Sequence, residues 1–147
     1  MNEKENTKEL LSAIHKNVTL GCDNIAAVVP MINDKFLMTN VTGQLEHYAE
    51  LKSCTESVME TYGVRPQKLS LYEKVKTRAG VMASTVFDSS DAHIAQMIER
   101  GTRRGADELE RTMLEVGKGV CDEASMRLCR SVIDFERRTA DRVRDFT

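Results

Sequence analysis

Apolar residues recur every three or four positions along nearly the whole chain, and this spacing constrains the fold more than any other feature. A period close to 3.6 places such side chains on one face of an α-helix, and no long alternating segment suggests a β-strand. The sequence therefore predicts an all-α protein of long amphipathic helices with a mostly aliphatic core. Near the N-terminus the apolar series consists of Leu11, Ile14, Val18, Cys22, Ile25, Val29 and Ile32.

Capping residues and helix breakers divide the chain into about five predicted helices. The first begins with Asn6 as its N-cap, followed by Glu9 at capping-box spacing, and it kinks or stops near Pro30. The second is predicted over 35–62, since Asp34 can cap its start and Gly63 follows its end. The other three predicted helices cover 70–87, 91–116 and 121–145.

The lengths of the breaks predict how these helices connect. The breaks after the first and fourth helices are short, which favours an antiparallel hairpin in each case. The stretch from Gly63 to Ser90 is long and itself helical in pattern, so it can return along the bundle. We therefore expect the helices over 35–62 and 91–116 to run parallel. Two hairpins joined by a helical crossover form one domain over 1–147, in the arrangement of a ferritin-like four-helix bundle.

Residues 90–105, with the sequence SDAHIAQMIERGTRRG, are the most distinctive stretch of the chain. The chain resembles the ferritin-like superfamily, and more closely a group of small bacterial helical proteins that carry a similar stretch. The likeness covers most of the chain, although only this stretch is specific. That group has no assigned activity, so the resemblance implies a fold and leaves the function open.

Metal-binding members of this superfamily place a glutamate on each of two helices and a Glu-x-x-His motif on each of the other two. This chain departs from that pattern on three helices. Gln44 stands where a glutamate would precede His47, and Thr139 stands where a histidine would follow Glu136. The first helix offers Asp23 as the only acid in its middle. Neither Glu-x-x-His motif is intact.

We therefore predict no metal, no cofactor and no catalytic residue, because a two-metal centre needs several inward carboxylates and two imidazoles. Glu99 and Glu136 are expected to lie near solvent or to pair with arginines, since an unpaired buried carboxylate is costly to ionise. The histidines fall on three different helices, which is more typical of surface or capping residues than of a composite metal site. They are His15, His47 and His93.

Charge and cysteine content argue against several kinds of partner. The net charge of −2 argues against a general affinity for nucleic acid or an anionic membrane. The arginines interleave with acids at i,i+4 spacing, as Glu99 and Arg103 do. No apolar run approaches the ~20 residues that span a bilayer. The four cysteines lack CxxC spacing and are expected to be reduced in a cytoplasmic protein. The alternative is a redox thiol at Cys121, if that residue lies in the first turn of a helix.

Two glycines within the predicted fourth helix, Gly101 and Gly105, are the most unusual feature of the sequence. Each costs about 1 kcal/mol relative to alanine in a helix interior. We expect both to contact another helix closely, with the helix over 70–87 and its small residues Ala79, Gly80 and Ala83 as the matching surface. The alternative is a ligand cavity at the same place.

These features together predict a non-catalytic helical bundle with a structural or interaction role, which self-associates as a homo-oligomer. Two alternatives stay open. The first is a metal-binding ferritin-like protein, for iron handling or oxidation, with a non-standard ligand set. The second is a small-molecule binder with its cavity near Gly101 and Gly105.

Overall fold

Four long α-helices make up the part of the chain that the computed structural model describes, namely residues 2–66, 80–81, 85, 88–117 and 119–147. Short 3-10 turns follow the first and the last helix, at Val29–Met31 and Arg144–Phe146. No strand occurs within these ranges, which confirms the all-α class. The helices are α1 (Glu3–Val28), α2 (Lys35–Thr61), α3 (Asp91–Val116) and α4 (Glu123–Val143).

The first helix begins earlier than predicted, and Asn6 is not its N-cap. Asn2 caps α1 instead: its side chain accepts a hydrogen bond from the Glu5 N–H at 2.9 Å, and Glu5 returns the capping-box contact. Asn6 is buried and donates its side-chain N–H to the carbonyl of Val120 at 3.0 Å. Asparagine is a favourable N-cap residue at either position. Asn6 instead forms a tertiary hydrogen bond to Val120, and Asn2 caps the helix.

Most other helix ends agree with the prediction. Pro30 lies in the 3-10 turn that ends α1, and Asp34 caps α2 by accepting hydrogen bonds from two backbone N–H groups. Gly63 follows α2 with a φ of 65°, the left-handed conformation that favours glycine. Helix α3 has the predicted bounds. Helix α4 is shorter than predicted at both ends, because Asp122 is its N-cap and a 3-10 turn replaces its last residues.

Hydrogen bonds at the helix ends establish the relative directions of α2 and α3. The backbone N–H groups of Asn33 and Asp34 donate to the carboxylate of Asp91 at 2.9 and 2.7 Å, so α2 and α3 begin at the same end of the bundle. At the other end, the Tyr62 hydroxyl donates to Asp122, beyond the end of α3. The two helices therefore run parallel, as predicted. The segment that joins them connects opposite ends of the bundle.

The helix predicted over 70–87 lies outside the described residues, except at three helical positions, Gly80, Val81 and Thr85. The described residues thus contain four long helices rather than five. Ala79 and Ala83 lie outside them as well. A Cβ atom on Gly80 would meet no described atom within 4 Å.

Surface ion pairs form between α3 and α4 as well as within single helices. Glu99 pairs with Arg103 on its own helix at 3.3 Å, as its spacing predicts, and with Arg144 after α4 at 3.2 Å. Arg137 of α4 pairs with Glu110 of α3 at 2.7 Å. The expectation that Glu99 finds arginine partners is confirmed. None of the described helices is long and apolar enough to cross a membrane.

The buried core is mostly aliphatic, with one large aromatic side chain at its centre. Tyr48 of α2 is only 1% exposed, and its ring lies against the backbone of α1 at Gly21. A Cβ atom on Gly21 would stand 2.6 Å from Cζ of Tyr48, so the missing side chain makes room for the ring. The fully buried aliphatic residues are Leu10, Leu11, Ile14, Val18, Leu37, Val41, Ile94, Val132 and Val143.

Gly21→Ala is therefore expected to destabilise the protein, although alanine is the better helix former by about 1 kcal/mol. Overpacking against a buried ring costs roughly 1–3 kcal/mol, which outweighs that gain. The matched control is Gly43→Ala on α2, where a Cβ atom would meet nothing within 4 Å and only the helix-propensity gain applies. Urea unfolding of both variants measures the difference. Equal stability of the two variants would show that the Tyr48 ring yields without cost.

Candidate functional site

Glu136 projects from the middle of α4 into the bundle interior, where it is only 2% exposed. The expectation that it lies near solvent or pairs with an arginine is wrong. One carboxylate oxygen accepts a hydrogen bond from the Tyr48 hydroxyl at 2.6 Å, and the other accepts one from the Asn17 side-chain N–H at 2.8 Å. Donors from α2 and α1 thus replace the water that a carboxylate loses on burial.

Gly105 of α3 makes room for this network. A Cβ atom there would lie 2.9 Å from a Glu136 carboxylate oxygen and 3.1 Å from the Asn17 side-chain nitrogen. That nitrogen also donates to the Gly105 carbonyl at 3.0 Å. The predicted close contact of Gly105 with another helix is confirmed for α1 and α4, whereas the partner predicted over 70–87 lies almost entirely outside the described residues. The side chains of Asn17 and Glu136 therefore fill the space that a Cβ atom on Gly105 would enter.

Gly101, by contrast, has no close interhelical contact among the described residues, and the partner predicted over 70–87 lies almost entirely outside them. Gly101 is exposed on α3, and a Cβ atom there would meet no described atom within 4 Å. The two glycines are four residues apart, so both lie on the same side of the helix. Of the two, Gly105 is level with the carboxylate of Glu136, and within the described part of the chain it is the one that is closely packed.

The buried network contains a group whose charge changes near neutral pH. Burial raises the pKa of Glu136 to about 7, although the hydrogen bonds from Tyr48 and Asn17 oppose the rise. Burial and the neighbouring carboxylate raise the pKa of Tyr48, which keeps its hydroxyl protonated as a donor. The side-chain oxygen of Asn17 is buried and has no donor among the described residues. Glu136 is therefore the titrating member of the network.

A cleft of about 500 Å³ opens on the surface between α2 and α4, next to this network. Phe135 separates the two: its ring lies 4.1 Å from the His47 ring of the cleft and 4.9 Å from the Tyr48 ring of the interior, between ring centroids. The lining residues come from two short stretches of helix. They are Thr39, Asn40, Gly43, Gln44, His47, Phe135, Arg138, Thr139 and Arg142.

The described residues that line the cleft carry basic and neutral polar groups, and none of them is acidic. Arg138 and Arg142 lie one turn apart on α4, both exposed, and neither forms an ion pair with a residue that the structure describes. Gln44 is 6% exposed and donates to the Asn40 side chain, and its own side-chain oxygen is without a described partner. The arrangement suits a ligand with a negatively charged group that pairs with the arginines and polar groups that hydrogen-bond to the amides.

The three histidines do not form a composite site in the structure. His15 is buried on α1, 3.1 Å from a carboxylate oxygen of Glu56. His47 lies over Phe135 in the cleft, whereas His93 is in the first turn of α3, after the N-cap. Within the described ranges, no group of three or more His, Cys, Asp or Glu side chains is placed to hold a metal ion.

The residues at which the resemblance would place metal ligands are also not arranged to bind a metal ion. Among the described residues Glu136 is the only buried acid, and both of its carboxylate oxygens accept hydrogen bonds. Gln44 bonds to Asn40, and Asp23 is exposed on α1. A two-metal centre requires several inward carboxylates, so this donor set does not fit one.

The cysteines do not form a reactive centre within the described residues. All four are free, and burial raises the pKa of Cys129 to about 12. Cys121 precedes the N-cap of α4, with its sulfur 3.7 Å from the Thr7 hydroxyl oxygen. The condition for a redox thiol, a place in the first turn of a helix, is therefore not met.

The fold and the site together define an all-α helical bundle with a buried carboxylate network and an adjacent basic cleft. Comparison with protein families, with curated proteins and with solved structures gave no match. The cleft and the residues that line it are therefore the features from which a function can be inferred.

Proposed function

We propose that this protein is a non-catalytic, ferritin-like helical bundle that binds a small molecule in the cleft between α2 and α4. The observation that carries the proposal is the cleft itself. Its volume of about 500 Å³ lies in the range of ligand pockets. It combines an aromatic surface at Phe135 and His47 with several polar side chains that can orient a ligand.

Three observations support the finer parts of this proposal. The parallel directions of α2 and α3, with an antiparallel partner for each, agree with a ferritin-like topology. The four free cysteines agree with a cytoplasmic location, where thiols stay reduced. The hydrogen bonds on both oxygens of Glu136 argue against its use as a metal ligand. Self-association as a homo-oligomer stays a prediction.

A tryptophan that fills the cleft provides the test. The chain contains no tryptophan, and Gly43 lines the cleft with open space around it, so Gly43→Trp blocks the cleft without displacing core residues. Gly101→Trp on α3 is the matched control, an exposed helical glycine that is not part of the cleft lining. A thermal-shift screen of neutral, cationic and anionic compounds is run on all three proteins.

We expect a compound that stabilises the wild type and Gly101→Trp but not Gly43→Trp. Ligand at 100 times its Kd adds about 2.7 kcal/mol of stability, which raises the Tm of a chain this size by roughly 5–10 °C. A screen in which no compound stabilises the wild type would contradict the proposal. Near-stoichiometric iron or manganese retained through chelation by untagged protein would instead support the metal-binding alternative.

A further inference from the structure

We infer that the ligand of this cleft is a small organic anion, a carboxylate or a phosphate ester, held by Arg138 and Arg142. The inference rests on the proposed function and names the chemical class of the ligand. The charge of the lining carries it first: it includes two arginines and, among the described residues, no acid. The whole chain has a net charge of −2, so the positive character is local to the cleft.

The spacing of the two arginines strengthens the inference. Residues at i and i+4 are neighbours on a helix surface, and two like charges there repel each other slightly. Arg103, Arg137 and Arg144 nearby each form an ion pair with a carboxylate, whereas Arg138 and Arg142 form none with a described acid. A bound oxyanion relieves the repulsion and matches the planar fork of a guanidinium group, which binds carboxylate and phosphate oxygens in pairs.

The size and the opposite wall of the cleft indicate an organic anion rather than a bare ion. A volume of about 500 Å³ is many times the ~30 Å³ share of one water molecule in the liquid. Across from the arginines, α2 contributes the Asn40 amide and the His47 ring, which stacks near Phe135. These groups suit hydroxyl groups or a planar part of the ligand, next to its charged end.

Paired compounds and paired variants test the inference by titration calorimetry. The anionic probes are citrate, benzoate and glucose 6-phosphate, and the neutral counterparts of the last two are benzamide and glucose. The double variant Arg138→Gln/Arg142→Gln removes the two charges of the cleft. The matched control is Arg100→Gln/Arg104→Gln, an exposed pair at the same spacing on α3. Circular dichroism verifies that both double variants are folded, as expected for exposed positions.

We expect at least one anionic probe to bind the wild type, with affinity that falls as salt is added. Its Kd should rise at least tenfold in Arg138→Gln/Arg142→Gln and change less than twofold in the control pair. A neutral counterpart that binds as tightly as its anion, or equal weakening in both double variants, would overturn the anion inference and leave the cleft as a binding site. If no anionic probe binds, the inference is wrong. The broader screen with Gly43→Trp then decides the proposed function separately.

Discussion

Glu136→Gln is expected to flatten the dependence of the free energy of unfolding on pH. In the wild type, that free energy should fall by roughly 3 kcal/mol as the pH rises, and in the variant this fall should be absent. Burial raises the pKa of Glu136 from its ordinary 4.5 to about 7 in the folded chain. The folded protein therefore keeps a proton that the unfolded chain releases at lower pH. Each unit of difference between the two pKa values corresponds to about 1.4 kcal/mol.

The direction of the effect follows from proton binding. Between pH 4.5 and about 7 the folded state binds more protons than the unfolded state, so the free energy of unfolding falls as the pH increases. Above about pH 7 the carboxyl group is ionised in both states, and this contribution stays constant. Glutamine does not titrate, and its side-chain oxygen can still accept the Tyr48 hydroxyl. The variant should therefore exceed the wild type in stability at pH 8, by less than the full 3 kcal/mol because the Asn17 contact changes.

Urea unfolding at pH 5, 6, 7 and 8 measures this prediction. The control is Glu46→Gln on α2, an exposed acid that should retain the pH dependence of the wild type. The plot of unfolding free energy against pH should be flatter for Glu136→Gln than for the wild type or Glu46→Gln. Parallel pH profiles for the wild type and Glu136→Gln would show that Glu136 is not a source of this pH dependence.

Gly105→Leu is expected to destabilise the protein by roughly 1–3 kcal/mol or more, because the new side chain enters space that the buried network occupies. Even its Cβ atom would lie 2.9 Å from the Glu136 carboxylate. At Gly101, one turn earlier on the same helix, a Cβ atom would meet no described atom within 4 Å, and Gly101→Leu replaces an exposed helical glycine. That variant should gain up to about 1 kcal/mol from helix propensity.

Thermal unfolding of the two leucine variants provides the comparison. The substitution, the helix and the change in hydrophobicity are the same, so only the surroundings of the two glycines differ. We expect a lower Tm for Gly105→Leu and an equal or higher Tm for Gly101→Leu. A wild-type Tm for Gly105→Leu would mean that the contact with Glu136 and Asn17 is not tightly packed.

Local features of the sequence determined most of the architecture. The apolar period specifies helices, and the capping residue Asp34 and the glycine Gly63 bound α2 through contacts within a few residues. The long stretch after Gly63 predicted the parallel directions of α2 and α3, because short connections permit only antiparallel neighbours. The position of Gly105 inside a helix indicated close packing, because a glycine there needs compensation.

Tertiary contacts decided the site. Glu136 lies four residues after Val132 and seven before Val143, which places it on the core face of α4, yet a carboxylate alone favours solvent. Its burial depends on donors from two other helices, Asn17 and Tyr48, and on space at Gly105 of a third. These partners are distant along the chain, and no local sequence pattern predicts them.

The cleft depends on tertiary structure for the same reason. Arg138 and Arg142 were visible in the sequence as two of many arginines that alternate with acids. The packing of α2 beside α4 places His47 and Asn40 across from these two arginines. The described residues that line the resulting cleft include no acid. Helix formation depends on residues within about one turn of each other. A binding surface between helices depends on which helix faces pack together, and the local sequence of each helix does not specify this.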